Sequence, residues 1–131
     1  MKILLDTSAY VAFKHNQDEV VNMIACAEHI YFSPVVQGEL MFGFRNGSRF
    51  RENMQDLNQF MQHEVVELVQ IGHVTADRYS RIASYLKQQG TPIPTNDIWI
   101  AAQTMEYGAE LLTSDKHFEN ISGLVCTIFH R

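Results

Sequence analysis

The sequence predicts an α/β protein in which a parallel β-sheet lies between layers of helix. Ile3-Leu4-Leu5 is an apolar run of strand length without alternation, which suits a strand covered on both faces. Further short apolar runs follow at Ile30–Phe32, Val65–Val69, Ala109–Thr113 and Leu124–Ile128. Segments with helical spacing separate most of these runs, and strands alternating with helices build parallel sheets.

The first strand stops at Asp6-Thr7-Ser8, where Thr7 and Ser8 are natural N-caps for a short helix through Ala9–Phe13. His15-Asn16-Gln17-Asp18 breaks that helix. Val20, Val21, Ile24 and Ala27 then define a second, ending near His29. After the strand Ile30–Phe32, Ser33 caps a helix that begins at Pro34, where proline's missing N–H costs nothing. Its body, Val35–Phe44, carries Val36, Leu40 and Phe44 on one face, with Glu39 beside them and partly wetted. Asn46-Gly47-Ser48 closes it and caps the next helix. There Phe50, Met54, Leu57 and Met61 form the apolar stripe, and Arg49, Arg51, Glu52 and Asp56 the wet face.

Beyond Val65–Val69, a helix from Thr75 turns Tyr79, Ile82, Ala83 and Leu86 inward and runs to Gln89, with Gly90 ending it. Thr91-Pro92-Ile93-Pro94 reads as an extended loop, since each proline disfavours helix at the residue before it. Thr95-Asn96-Asp97 opens a helix in which Ile98, Ala101, Ala102 and Met105 share a face. Trp99 and Ile100 leave little of it polar, so it is central, and Gly108 ends it. Ser114-Asp115 starts a short helix through Phe118. No repeat, linker or low-complexity tract interrupts residues 1–131, which read as one domain.

The totals exclude several classes. Hydrophobic residues make up 46% and charged residues 19%, the balance of a folded protein rather than a disordered one. No apolar run approaches the ~20 residues of a membrane span. Lys2 ahead of a short apolar run that Asp6 interrupts is no signal peptide. Cys26 and Cys126 form no CxxC, so two buried thiols in a reducing cytoplasm are expected. The six histidines show no zinc-ligand spacing. A net charge of −5 speaks against nucleic acid at first sight. One or two bound divalent cations would reduce it to about −3 or −1.

Four acids change that balance. Asp6 ends the first strand, Glu39 lies in the helix after the second, Asp97 opens the central helix, and Asp115 follows the fourth strand. In a parallel sheet such junctions share one edge, where ligands collect. Two carboxylates ~4 Å apart repel by about 4 kcal/mol at an effective dielectric of 20, so the cluster must hold protons or a cation. An all-oxygen set selects a hard ion, Mg²⁺ or Mn²⁺, which suits phosphodiester hydrolysis. Thr7, Ser8, Asn96 and Thr113 read first as caps and turn-formers whose oxygens could reach the ion's waters. Glu119 is divided between a solvated face and an accessory acid.

Taken together, these residues resemble a known family. Ile3-Leu4-Leu5-Asp6-Thr7-Ser8 is similar to the opening of PIN-domain ribonucleases. So are Gly38-Glu39-Leu40 followed by Gly43, Asp97-Ile98 leading into Ile100-Ala101-Ala102, and Thr113-Ser114-Asp115-Lys116-His117-Phe118. Order and spacing resemble the short toxins of the VapC type, the ribonuclease half of bacterial toxin–antitoxin pairs. The resemblance covers essentially the whole chain, and departs from the usual pattern at Ser8, where asparagine is common. It implies a three-layer α/β/α sandwich with a four- or five-stranded parallel sheet and an Mg²⁺- or Mn²⁺-dependent endoribonuclease. It further implies that Asp6, Glu39, Asp97 and Asp115 are the acidic positions, that the protein is a homodimer, and that a cognate antitoxin occludes the site.

Arg45, Arg49 and Arg51 flank the Asn46-Gly47-Ser48 loop and could hold RNA phosphates or an acidic antitoxin segment. Lys116 and His117, beside Asp115, could touch phosphate, but read first as a solvated turn. A phosphatase with an Asp nucleophile is disfavoured, because the second aspartate expected two residues on is Ser8. A non-catalytic RNA- or protein-binding module on the same fold is the remaining alternative.

Overall fold

The computed structural model describes residues 1–131 and contains five strands: β1 (Lys2–Leu5), β2 (His29–Phe32), β3 (Val66–Leu68), β4 (Glu110–Thr113) and β5 (Cys126–Ile128). All pair in parallel, in the order β3-β2-β1-β4-β5. The chain builds outward from β1 through β2 to β3, then returns to place β4 on the other side of β1. The strand order thus reverses between β1 and β4, and a crevice opens beyond their carboxyl ends.

Helices cover both faces: α1 (Thr7–Lys14), α2 (Asp18–Cys26), α3 (Pro34–Arg45), α4 (Phe50–Met61), α5 (His73–Gln89) and α6 (Thr95–Glu106). A 3₁₀ turn, Lys116–Asn120, follows β4. The central strand explains the layering. Ile3 and Leu5 enter one core with Ala9, Val20, Leu112 and Phe129. Leu4 enters the other with Phe32, Leu57, Ile100 and Leu111. All three β1 residues are fully buried, each contributing about 1.5–3 kcal/mol of apolar burial. The unalternating run is therefore a strand feeding two cores.

Several local expectations are corrected. Thr7 and Ser8 are not the caps of α1. Asp6 is, its Oδ1 accepting from the Ala9 N–H at 2.9 Å, which frees both hydroxyls for other partners. Helix α2 stops at Cys26, three residues early, because His29 is drawn into β2 opposite Lys2. Ser48 does not cap α4; Arg49 occupies that position without a side-chain bond. Helix α5 begins two residues before Thr75, whose buried hydroxyl accepts from the Gly72 N–H at 3.1 Å. Cys26 is exposed and Cys126 half-buried, so the expectation of two buried thiols fails. As expected, Ser33 caps α3, its Oγ accepting from Val35 N–H at 3.0 Å, and Gly90 ends α5 at φ +73°. No helix is long and apolar enough to cross a membrane.

Candidate active site

An open cleft of about 780 Å³ lies over the carboxyl ends of β1 and β4, and Asp6, Glu39, Asp97 and Asp115 all line it. Each arrives by a different local device. Asp6 extends β1 by one bond, its N–H donating to the Leu112 carbonyl at 3.3 Å, and then caps α1. Glu39 comes from the second turn of α3, half-buried as expected. Asp97 sits in the first turn of α6, where unpaired N–H groups favour a negative charge. Asp115 stands at the N-terminal boundary of the 3₁₀ turn after β4, without a side-chain capping bond.

The hydroxyls hold these acids in place. Asp6 is only 5% exposed, and its carboxylate is clamped from three sides. Ser8 Oγ donates to its Oδ1 at 2.6 Å and Thr113 Oγ1 to its Oδ2 at 2.5 Å, alongside the Ala9 N–H. Thr113 Oγ1 accepts from the Asp115 N–H at 3.0 Å, and Ser8 Oγ from the Ser114 N–H at 3.1 Å. The β4 exit loop is thereby locked to the β1 exit. Thr7 Oγ1 donates to Glu39 Oε1 at 2.5 Å, and Asn96 Nδ2 to Glu39 Oε2 at 3.3 Å. Every one of Thr7, Ser8, Asn96 and Thr113 touches an acid of the cleft.

The charge is uncomfortable. Burial raises the Asp6 carboxyl above its ordinary value; the Ser8, Thr113 and Ala9 hydrogen bonds oppose the rise, and the Asp115 charge adds to it. Burial raises Asp97 as well, opposed by His117 and reinforced by Glu39 and Asp115. Groups this close, acceptor-only when ionised, fit a hard cation that would relieve both burial and repulsion.

His117 is the residue that sequence reasoning undervalued. Its Nε2 lies 2.8 Å from Asp97 Oδ2 and its Nδ1 3.6 Å from Asp115 Oδ1, so it bridges two of the acids instead of sitting in a solvated turn. Ligand atoms of Asp97, Asp115 and His117 fall within 4.8 Å of one another. Its place two residues after Asp115, in a turn packed by buried Phe118, was the available signal. Arg131 also lines the cleft and carried no sequence signal. Arg45, Arg49 and Arg51 are exposed and line no part of it; the Arg45 guanidinium lies 4.5 Å from the Phe50 ring centroid. Glu119 is exposed and outside the cleft, and its charge contributes to raising the Cys126 thiol, so the accessory-acid reading has no support.

A parallel sheet whose strand order reverses beneath an acid-lined cleft defines a class of protein able to hold a hard cation against a bound ligand. The chain belongs to the PIN domain family, whose model matches residues 3–124. It is 27% identical over 130 residues to Ribonuclease VapC2 of Rickettsia felis, covering 95% of this chain and 96% of that one. To Ribonuclease VapC1 of Haemophilus influenzae strain R2866 it is 25% identical over 129 residues, covering 95% of each. Among solved structures, VapBC2 from Rickettsia felis bound to a promoter DNA fragment superposes with TM-score 0.88 at 25% identity, over 98% of this chain and 99% of that one. VapBC-1 from nontypeable Haemophilus influenzae shares the fold, with TM-score 0.86 at 23% identity over 98% of each chain.

Proposed function

We propose that this chain is a divalent-metal-dependent endoribonuclease of the VapC type, acting on transfer RNA or another structured RNA. The observation that carries the reading is the convergence of Asp6, Glu39, Asp97 and Asp115 on one cleft, together with the ribonuclease names of the relatives. Asp6, Asp97, Asp115 and Glu39 would hold Mg²⁺ or Mn²⁺, with Asp6 as the buried member of the set at the floor of the cleft. When bound, such an ion supplies Lewis acidity toward the phosphodiester and its attacking water. The chain's own groups do the rest. Glu39, fixed at both oxygens by Thr7 and Asn96, presents an acceptor that orients the water. Thr113 and Ser8 keep Asp6 from turning away. His117 holds Asp97 in one orientation.

The same reading assigns residues 1–131 to one domain that works in the cytoplasm as a homodimer. A cognate antitoxin is its partner, by likeness to the VapBC complexes. Arg45, Arg49 and Arg51, exposed and away from the cleft, suit an acidic antitoxin segment better than the scissile phosphate. The test is incubation of the purified chain with transfer RNA and Mg²⁺ or Mn²⁺, with and without chelator, beside Asp97→Asn. Chelator-sensitive cleavage that falls by at least about 10² in the variant is expected. Cleavage that is absent, or that survives the chelator unchanged, would leave the binding-module alternative standing.

A further inference from the structure

We propose that Arg131 is a positioning residue that takes a phosphate flanking the scissile one, so that the RNA strand leaves the cleft over the carboxyl ends of β4 and β5. The inference rests on the nuclease reading above. Arg131 is the only lysine or arginine in the lining of the cleft. It joins no ion pair, although Asp115 shares the same wall.

The side chain is held rather than loose. Its Nε donates to Ser114 Oγ at 3.0 Å, and Ser114 N–H donates to Ser8 Oγ, so the guanidinium is tied to the loops that carry Asp6 and Asp115. The segment before it is fastened as well. Phe129 is 1% exposed and its N–H donates to the Thr113 carbonyl at 2.9 Å, while the Gln17 amide donates to the His130 carbonyl. With Nε used by Ser114, the terminal nitrogens remain for a ligand, and a planar guanidinium fork matches phosphate oxygens.

A second depression, of about 420 Å³, gives the strand its direction. It shares Asp115 and Arg131 with the cleft and adds Lys116 and His130 beyond them. Arg131 thus stands where an acidic, ion-binding wall gives way to a basic ledge. An anionic strand with one phosphate at the acids can place a neighbouring phosphate there.

The experiment measures cleavage of a short single-stranded oligoribonucleotide in Mn²⁺ across a salt series, for the wild-type chain, Arg131→Gln and Arg131→Lys, with melting temperatures alongside. Arg131→Gln is expected to raise KM about tenfold with little change in kcat. It should also make the dependence of log(kcat/KM) on log salt shallower by about 0.7, one phosphate contact on a single strand. Arg131→Lys should regain the slope. An unchanged KM and slope, or a loss confined to kcat, would overturn the assignment. Unchanged RNA kinetics with weaker inhibition by poly-glutamate would hand the residue to an acidic polypeptide instead. A wild-type chain that cuts no RNA in either metal would refute the nuclease reading itself, a result separable from any behaviour of the variants.

Discussion

Asp6 serves two purposes with one carboxylate. It caps α1 through Oδ1 and carries charge to the floor of the cleft, and the two roles separate by substitution. Asparagine keeps a capping oxygen but removes the charge. Asp6→Asn should therefore fold with near-normal stability in urea while cleaving RNA far more slowly. Asp6→Ala should lose activity and also about 1 kcal/mol or more of stability, because the cap is gone and the buried Thr113 hydroxyl loses its acceptor. Equal stability of the two variants would show that the cap contributes nothing. The carboxylate was legible in the sequence as a strand-ending acid. From sequence alone the capping role reads equally well onto Thr7 and Ser8, because hydroxyls and carboxylates are comparable caps and only the actual chain path selects between them.

At the scale of elements, the acids depend on how helices begin and end. Asp97 reaches the cleft because α5 stops at Gly90 and an extended Pro-rich loop carries the chain to the first turn of α6. Gly90 holds φ +73°, and a Cβ there would meet nothing within 4 Å. Gly90→Ala should therefore cost about 1 kcal/mol through backbone strain alone, read by chemical denaturation, without a steric clash. No measurable loss would mean that the turn relaxes into another conformation. The aromatic packing under α1 was less legible. Tyr10, Phe32 and Phe60 meet edge-on or tilted at 5.3–6.0 Å, yet Phe60 lies outside the Phe50, Met54, Leu57 and Met61 stripe. Helical periodicity marks a face of one helix, not where a neighbouring helix crosses it.

For the molecule as a whole, the concentrated negative charge makes stability depend on pH and metal. Asp6 and Asp97 have values raised above the ordinary 3.8, so the native state takes up protons more readily than the unfolded chain. Metal-free protein should gain stability from these groups as pH falls through their raised values, the gain being complete below 3.8 and lost again as pH rises. Saturating Mg²⁺ or Mn²⁺ should stabilise the neutral-pH protein by about 2.7 kcal/mol at a hundredfold excess over Kd, and flatten that pH dependence. Asp97→Asn should show less of both. Calorimetry from pH 4 to 8, with and without metal, reads the two effects. A melting temperature indifferent to metal in the wild-type chain would contradict a shared cation site.

The sequence by itself determined the parallel α/β architecture, because unalternating apolar runs between amphipathic helices have few other ways to bury themselves. It also determined which four carboxylates mark the strand and helix junctions. Only the tertiary structure decided that β1 and β4 lie side by side at the point where strand order reverses. That adjacency ties Thr113 to Asp6 and Ser114 to Ser8, hydrogen bonds between residues 107 and 106 positions apart. Local pattern carries no record of such encounters, since they follow from which strands pair and not from what any one segment prefers.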